Sequence, residues 1–583
     1  MNPLKKFLSI MTPPERKRLV WVVLLMAFGV GLEALTLGLV APASSIIFGE
    51  KREEFLSLLP GSLGNLDPSL LIAILLFVGI LFVVLKNVII GYQIRVQFGF
   101  IAKAKQSVSS RLFSNYLRAP YSFHLTHNSS ALIRNVVNEV NEFELRVLMP
   151  WMLLLSEGLV TFGLITVLLV LNPINTLAVG LLLGLGGAGY LLVTRGRVDR
   201  WGHVRLENEE LRIRSVQQGL GGIKEVKLLG LEDVLLEDYK IYNKSSAEAF
   251  AAQAFFSQVP RLLLEVIALS AVIVVVFISF LSGLDTEEMV TSLGLLAVAA
   301  FRLLPSTNRI ISACSSLKFG AASLNNVAQE LAESEKVEQF LSEQRESEPI
   351  TFSSSIDIEG LSYQYREDSK KVLDQISLKI PHNAFVGVIG ESGSGKSTLV
   401  DVILGLLPPT EGQVKVDGVP ISSNLRSWQE KIAYVPQHIY LADTSIRKNV
   451  AFGIPDNEIS SERVEEMLKL AHLESLIADL EEGIETEVGE RGVRLSGGQC
   501  QRIGVARALY RDPDVIVFDE ATSALDDDSQ EKVMDAIKGL KGSRTIIMIS
   551  HRLSTIDYCD VVFELKGGKA GPLVSPESVL ESR

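Results

Sequence analysis

The sequence has little cysteine, little charge and no evident secretory signal. Three cysteines in 583 residues are too few for a secreted disulfide scaffold. Charged residues make up only 21% of the chain and hydrophobic residues 47%, which is ample apolar mass for a core and excludes wholesale disorder. A pI near 5.3 argues against nucleic acid as a partner. The first apolar run is long and no clear cleavage site follows it, so we interpret it as a retained helix.

The composition divides the chain into two unlike halves. Residues 1–330 carry a net charge of +4 and hold the long apolar runs, whereas residues 331–583 carry −16 and have an ordinary polar composition. Strands with turn signals and then strands alternating with helices follow residue 350, which is an α/β pattern. We therefore expect a transmembrane domain over 1–330, a charged helical linker over 331–350 and an α/β domain over 351–583.

Six apolar runs in the first half are candidates for membrane-spanning helices, each of which needs about 20 apolar residues. They cover residues 19–41, 68–92, 151–171, 174–194, 262–281 and 289–310. The sixth run is the weakest because Arg302, Pro305 and Arg309 interrupt it. Basic residues concentrate before the first run and in the connections after the second and fourth, so both termini are predicted to be cytoplasmic.

The two basic connections are each over 50 residues long and have helical periodicity rather than the composition of a slack linker. We interpret them as membrane helices that extend into the cytoplasm and turn there, near residues 119–123 and 219–227; separate cytoplasmic subdomains are the alternative. The outer connection 42–67 contains an amphipathic stretch, residues 48–59, which fits either an interfacial helix or a solvated loop.

The second half contains a P-loop. The apolar strand Phe385–Ile389 leads directly into Gly390-Glu-Ser-Gly-Ser-Gly-Lys-Ser-Thr398, and an apolar helix follows. Glycines let the backbone amides wrap a phosphate, and the helix start adds the positive end of its dipole. Lys396 is expected to reach the β- and γ-phosphates, and the Ser397 hydroxyl to bind Mg²⁺. The predicted ligand is therefore a Mg²⁺-bound nucleotide.

Two further features support a nucleotide-hydrolysing site. A second buried strand, Val515–Phe518, ends in Asp519 and Glu520. An acid at a strand end beside a P-loop is the Mg²⁺-side carboxylate, and its neighbour is then placed to polarise the attacking water. Leu495-Ser-Gly-Gly-Gln499 opens a helix and forms a second phosphate-binding start, although the chain has only one P-loop.

These ordered motifs resemble those of the ABC transporter family over essentially the whole chain. The Leu495–Gln499 stretch is similar to the family's signature motif. The resemblance implies an exporter of the type IV fold, in which six transmembrane helices precede an ABC-type P-loop NTPase domain. It also implies catalytic roles for Lys396, Glu520 and His551 (the γ-phosphate switch), and Mg²⁺ contacts for Ser397, Gln437 and Asp519. The nucleotide-binding residues that it implies are Tyr365 (adenine stacking), Gly390, Glu391, Ser392, Gly393, Ser394, Gly395, Lys396, Ser397, Thr398, Gln437, Ser496, Gly497, Gly498, Gln499, Asp526 and His551.

In this family the signature of one subunit closes over the ATP bound by the P-loop of another. One P-loop, one signature and six spans therefore imply a half-transporter that works as a homodimer in the bacterial inner membrane. One departure is Cys500, which stands where relatives usually carry a polar or charged residue; we expect it to be neutral to catalysis.

Charged residues inside the apolar runs are the main indication of the substrate. A charge at the bilayer centre costs about 2.5–3.5 kcal/mol even on insertion scales, so it faces a cavity or a partner. Arg302 and Arg309 are seven residues apart and share a helix face, which suits an anionic substrate. The alternative is structural pairing with Glu33 or Glu157. Arg261 and Glu265, at i and i+4, are spaced to pair with each other, and Lys86 is late enough in its span to reach the interface.

The sequence around two of these charged sites resembles the PglK-type flippases of bacterial protein N-glycosylation. The resembling segments are Pro260–Glu265, Phe301–Arg309 and the start of the chain. The resemblance implies ATP-driven movement of a polyprenyl-pyrophosphate-linked oligosaccharide to the outer leaflet. Lys86, Arg261, Arg302 and Arg309 then become pyrophosphate contacts. The nearest alternative is an exporter of another amphiphile, such as a lipid A precursor, a drug or a peptide. An ATP-gated anion channel conflicts with the intact Glu520, and a soluble ABC ATPase conflicts with the six spans.

Overall fold

The computed structural model describes residues 3–48, 68–171, 173–281, 286–343, 348–366, 369–489, 492–520, 527–550 and 556–581. It contains two compact units. One comprises residues 1–119 and 126–337, and the other comprises residues 120–125 and 338–583. The short segment 120–125 therefore groups with the second unit, although it follows the second long helix along the chain.

The first unit consists of helices joined by short turns over its described residues. Two π-helical turns, Asn135–Glu139 and Glu144–Leu148, interrupt the segment that leads into the third long helix. The helices, in chain order, are α1 (Pro3–Ile10), α2 (Pro13–Phe48), α3 (Pro68–Arg118), α4 (Tyr121–Thr126, grouped with the second unit), α5 (Ser129–Arg134), α6 (Val140–Phe143), α7 (Met149–Leu171), α8 (Pro173–Gly221), α9 (Ile223–Leu229), α10 (Glu232–Leu281), α11 (Thr286–Phe319) and α12 (Ala321–Glu343).

Each of the six apolar runs lies inside one of the long helices α2, α3, α7, α8, α10 and α11. The weak sixth run is a continuous helix with Pro305 inside it. Among the described residues, three segments are long and apolar enough to cross a membrane, namely Phe77–Arg118, Ser129–Val170 and Glu232–Val274. Helices α3, α8 and α10 are 49 to 51 residues long. At about 1.5 Å per residue they extend far beyond a 30 Å hydrocarbon layer.

Buried charge holds the extended parts of these helices together. Arg205 on α8 is 2% exposed and Glu139 in the π-helical turn is 0% exposed. Their side chains form an ion pair of 3.2 Å, and Ser323 on α12 hydrogen-bonds to both. The sequence spacing of 66 and 118 residues gives no local signal for this contact.

The second unit is an α/β domain. Its strands are β1 (Ser355–Tyr363), β2 (Leu373–Pro381), β3 (Phe385–Ile389), β4 (Glu411–Val416), β5 (Val419–Pro420), β6 (Ile432–Val435), β7 (Val515–Asp519), β8 (Thr545–Ile549), β9 (Val561–Lys566) and β10 (Lys569–Ala570). Its helices are α13 (Lys396–Ile403), α14 (Leu425–Lys431), α15 (Ile446–Val450), α16 (Ser461–Leu470), α17 (Glu474–Asp479), α18 (Gly497–Tyr510), α19 (Asp527–Lys538) and α20 (Pro576–Glu581).

The strands form two sheets. An antiparallel sheet has the order β2-β1-β4-β5, and a six-stranded sheet has the order β10-β9-β3-β8-β7-β6. In the larger sheet β3 pairs in parallel with β8 and β9, and β7 pairs in parallel with β6 and β8. The carboxyl ends of parallel strands meet at one edge, so the loops after β3 and β7 are brought together there.

Alternate side chains along the central strands pack into two separate hydrophobic cores. Ile516 and Phe518 of β7 belong to one hydrophobic cluster, and Val515 and Val517 belong to the other. Successive side chains of a strand point to opposite faces, so this sheet is buried on both sides. The predicted strands at 385–389 and 515–518 and the predicted helix that follows the signature are confirmed.

Candidate nucleotide-binding site

The P-loop connects the end of β3 to the start of α13. Gly390 has φ +155° and Gly395 has φ +104°, which are conformations that residues with a side chain rarely adopt. A Cβ added at Gly390 would clash with the carbonyl oxygen of Leu565, so a residue with a side chain does not fit there without a backbone shift. The Lys396 ammonium donates to the carbonyls of Gly390 and Glu391 at 2.9 and 2.8 Å. The loop is thus a closed backbone cradle with one cation inside it.

The loop has hydrogen-bonding capacity that the described chain does not use. Ser394 is 7% exposed, and its hydroxyl is buried with no partner among the described residues. A buried, unsatisfied hydroxyl costs about 1–3 kcal/mol unless a ligand satisfies it. Burial lowers the pKa of Lys396, whereas the nearby Glu520 and Asp519 raise it. These features fit a bound phosphate chain, so the residues present suit a nucleotide.

An oxygen-rich donor set lies at the end of β7. Asp519 is 9% exposed, and the nearby Ser397 hydroxyl acts to lower its pKa. The Tyr434 hydroxyl donates to Asp519 Oδ2 at 3.2 Å. Burial raises the pKa of Asp519, and the hydrogen bond from Tyr434 opposes that shift. Carboxylate and hydroxyl oxygens are the ligands that Mg²⁺ prefers, so this set suits that ion.

Glu520 and Gln437 are in direct contact. The Gln437 amide nitrogen donates to Glu520 Oε2 at 3.0 Å, and the Glu520 amide donates to the carbonyl of Ile549 on β8 at 3.1 Å. Glu520 has φ +48°, a left-handed conformation that is uncommon for a non-glycine residue and costs energy. The sheet therefore presents this carboxylate in a fixed position at its carboxyl edge.

The signature stretch opens α18 with a complete capping box. The Ser496 hydroxyl accepts from the Gln499 amide, and the Gln499 side chain accepts from the Ser496 amide. The backbone then presents Gly497 and Gly498 in the first turn, where the helix dipole favours an anion. Cys500 is half-buried, and burial raises the pKa of its thiol.

Tyr365 lies beside the P-loop helix. Its hydroxyl is 3.0 Å from that of Thr398, and the residue is 49% exposed. An exposed aromatic ring next to the phosphate loop is free to stack on a base. The remaining two predicted nucleotide contacts, Asp526 and His551, lie outside the described residues.

Three polar residues of the site have no counterpart in the sequence prediction. Tyr434 donates a hydrogen bond to Asp519, as described above. Desolvation, followed by the charge of Asp519, raises the pKa of Asp401 on α13 to about 6. Arg507 on α18 donates to the carbonyls of Asn449 and Tyr440, both at 2.8 Å, and so fixes the signature helix to the segment after Gln437. Long-range partners give these residues their roles, so a local motif does not reveal them.

Tyr121 of α4 is a fourth such residue. The segment 120–125 groups with the second unit, and Asp401 and Tyr365 are among the causes that raise the pKa of Tyr121, after burial. Tyr121 also contributes to the raised pKa of Tyr434. Within the second unit, Tyr121 therefore shares an electrostatic environment with Asp401 and Tyr365.

The charged residues predicted to contact substrate lie in the helical unit and are partly paired. Arg309 Nε is 3.1 Å from Glu157 Oε1, and Arg261 Nε is 3.3 Å from Glu265 Oε1. Lys86 is half-buried, with no ion-pair partner among the described residues, and the side chain of Arg302 is outside them. Glu157 is 7% exposed, whereas the Arg309 side chain is 44% exposed. The contact with Glu157 is the one that the structural-pairing alternative for Arg309 predicts.

A helical membrane unit joined to a P-loop unit with a second phosphate-binding helix start defines an ATP-driven membrane transporter. The ABC transporter transmembrane region profile matches residues 28–299, and the ABC transporter profile matches residues 373–523. Relatives include the ATP-dependent lipid A-core flippase of Cupriavidus pinatubonensis, 30% identical over 81% of this chain and 79% of the relative. That of Cupriavidus metallidurans is 31% identical over 79% of this chain and 77% of the relative.

The chain belongs to the ABC transporter family. It is an exporter-type half-transporter, a multi-pass membrane protein with a transmembrane domain and an ATP-hydrolysing domain. A solved structure of a bacterial Atm1-family ABC exporter with ATP bound covers 97% of both chains with a TM-score of 0.75 and 22% identity. That similarity supports the fold, and the predicted fold class is confirmed.

Proposed function

We propose that the protein is a homodimeric, ATP-driven flippase for a phosphorylated glycolipid, with a lipid A-core type of substrate as the first candidate. The observation that carries the proposal is the 30–31% identity to lipid A-core flippases over about four fifths of the chain. This favours the lipid A alternative of the sequence analysis over a polyprenyl-pyrophosphate oligosaccharide. We place the protein in a bacterial inner membrane with both termini and the ATPase domain in the cytoplasm.

Cationic side chains in the membrane-embedded helices support an anionic substrate. The Arg309 guanidinium pairs with Glu157 through Nε, and the arginine side chain is 44% exposed. A guanidinium held in this way can offer two parallel donors to a phosphate oxygen pair. Lys86, Arg261 and Arg302 are proposed as further contacts to the substrate phosphates.

The proposed hydrolysis assigns a role to each group at the carboxyl edge of the sheet, and Gln437 has two. The P-loop amides, Ser394 and Lys396 bind and orient the phosphates. Ser397, Asp519 and Gln437 would hold Mg²⁺, which supplies charge neutralisation on the phosphate oxygens. Glu520 accepts the proton of the attacking water, and Gln437 orients its carboxylate.

The family assignment also suggests how hydrolysis would move the lipid. Ser496 and the amide of Gly498 would bind the γ-phosphate held by the P-loop of a second copy, and Asp526 and His551 would complete that interface. Loss of the γ-phosphate removes these contacts, so the nucleotide would bias a two-state dimer. Helices α4 and α9 would transmit the change to the membrane helices.

A second substrate candidate is the polyprenyl-pyrophosphate oligosaccharide, which the stretches Pro260–Glu265 and Phe301–Arg309 favour. Both candidates are phosphorylated glycolipids, but they differ in their apolar part and in the number of phosphates. Reconstitution of the purified chain into liposomes with each lipid separates them. Accessibility of the glycan on the outer surface, measured with and without ATP, reports translocation.

We expect ATP-dependent flipping of the lipid A-core glycolipid, with no flipping by the Glu520→Gln variant. Flipping of the polyprenyl-pyrophosphate lipid alone would reverse the order of the two candidates. Failure of both lipids, together with ATPase stimulation by an unphosphorylated drug or peptide, would overturn the glycolipid proposal but leave the transporter class intact.

A further inference from the structure

A polar groove lies between the first two long helices of the membrane unit. Thr12, Glu15 and Arg18 at the start of α2 line one side, and Lys103, Gln106 and Ser107 of α3 line the other. The groove encloses about 460 Å³ and is open to the outside. None of these residues belongs to the nucleotide site or to the proposed substrate contacts.

The groove contains two cationic side chains that are unpaired among the residues the structure describes. Arg18 and Lys103 are exposed, and neither has a hydrogen-bond or ion-pair partner among the described residues. Neighbouring cations are engaged, because Lys105 pairs with Glu144 at 2.6 Å and Arg16 donates to the carbonyl of Leu8 at 2.9 Å. Arg18 and Lys103 thus line opposite sides of the groove, one on each helix.

The single acid in the lining does not neutralise both cations. Glu15 is 8% exposed, and its Oε2 accepts the backbone amide of Thr12 at 2.7 Å. It acts as a cap at the start of the 36-residue helix α2, whose N-terminal end is itself favourable for an anion. Gln106 and Ser107 add neutral donors, so the groove as a whole favours a negatively charged ligand.

The position of the groove indicates what carries that charge. Arg18 directly precedes the apolar run that begins at residue 19, so the groove lies where α2 enters the membrane. Trp21, one turn further along the same helix face, is 65% exposed. Gly99, one turn from Lys103 on α3, is exposed and leaves open space where a side chain would lie. Exposed tryptophan is typical of the membrane interface.

We propose that this groove binds the phosphate of an anionic phospholipid of the cytoplasmic leaflet, whose acyl chains run past Trp21 and Gly99. Basic pockets between membrane helices on the cytoplasmic side recognise such headgroups through charge. The bound lipid is a fixed ligand that joins α2 to α3, and it is distinct from the transported glycolipid.

The test uses the full-length dimer in nanodiscs of phosphatidylcholine with increasing fractions of phosphatidylglycerol. Lipid retention is measured by native mass spectrometry, and the thermal unfolding midpoint is followed in parallel. We expect Arg18→Ala with Lys103→Ala to weaken phosphatidylglycerol retention roughly tenfold or more. The charge-matched control Lys17→Ala with Arg95→Ala removes one cation from each of the same helices outside the groove, and should retain the lipid.

Three results would overturn the proposal. The first is equal retention of phosphatidylglycerol by the groove variant and the control. The second is displacement of the lipid by millimolar inorganic phosphate, which would make free phosphate the ligand. The third is loss of retention in the charge-preserving variant Arg18→Lys with Lys103→Arg, which would point to a fold defect. Glycolipid flipping is assayed separately, so its failure leaves this test unaffected.

Discussion

The two halves of the chain place their charged residues by different physical routes. In the ATPase unit, the charged residues of the nucleotide site lie in short stretches at the carboxyl ends of β3 and β7, where backbone geometry dictates what the side chains can reach. In the membrane unit, charge is scattered along long helices and is paired between residues far apart in sequence, such as Glu139 with Arg205 and Glu157 with Arg309.

This difference follows from the solvent of each half. A soluble α/β domain can leave a carboxylate at a loop end because water or a ligand satisfies it. A charge in an apolar helix must find a partner or a cavity. The function of the ATPase half is therefore encoded locally, whereas the buried ion pairs of the membrane half join residues that are far apart in sequence.

The largest expected effect lies in the local half. Glu520→Gln removes the proposed proton acceptor while preserving shape, so ATP turnover should fall by about 10²- to 10⁴-fold. ATP binding should persist and the closed dimer should accumulate. Single-turnover hydrolysis and nucleotide trapping measure both. The surface variant Glu531→Gln is the control, and undiminished turnover of the Glu520 variant would remove Glu520 from the mechanism.

The sequence predicts this half well because strand, loop and helix follow one another within a few residues. Strand β3, the P-loop and α13 occupy residues 385–403 without interruption, and each has its own signal. The hydrogen bond from Tyr434 to Asp519 could not be predicted, since 85 residues separate the two. In the membrane half the apolar runs indicate the helices, but hydropathy carries no information about which charges pair between them.

A second prediction compares buried and exposed ion pairs between the halves. Arg205→Met leaves Glu139 fully buried without its cation, so the membrane unit should lose about 3–5 kcal/mol of stability. In the ATPase unit Lys569 pairs with Asp374 at 3.4 Å, and the lysine side chain is 71% exposed. Lys569→Met should cost under about 1 kcal/mol. Thermal unfolding in detergent measures both.

A compensating variant sharpens that comparison. Arg205→Met with Glu139→Leu replaces the buried pair by apolar side chains and should recover most of the lost unfolding midpoint. A double variant as unstable as the single one would mean that the helices need the ions themselves, for instance through the hydrogen bonds of Ser323.

A third prediction asks whether Arg309 is structural or binds substrate. Arg302→Ala with Arg309→Ala should reduce lipid transport by about tenfold or more, because charged hydrogen bonds contribute about 1.5–3 kcal/mol each, with a smaller fall in basal ATP hydrolysis. Adding Glu157→Gln removes the carboxylate left buried and should restore thermal stability. Transport that returns together with stability would show that the pair is structural.

The smallest expected effect tests a long-range contact inside the locally encoded half. Tyr434→Phe removes one hydrogen bond to Asp519 and keeps the ring. The Mg²⁺ concentration needed for ATPase activity should therefore change by less than about tenfold, equivalent to about 0.5–1.5 kcal/mol. That hydrogen bond opposes the raised pKa of Asp519, and its loss should raise that pKa further and weaken Mg²⁺ binding most at acidic pH. Titration of ATPase activity with Mg²⁺ at two pH values measures this. Tyr440→Phe, whose ring is 62% exposed, is the control. A Mg²⁺ requirement that is unchanged at both pH values would show that the sheet alone positions Asp519. The ATPase site would then depend on local sequence only, whereas the membrane half depends on long-range ion pairs.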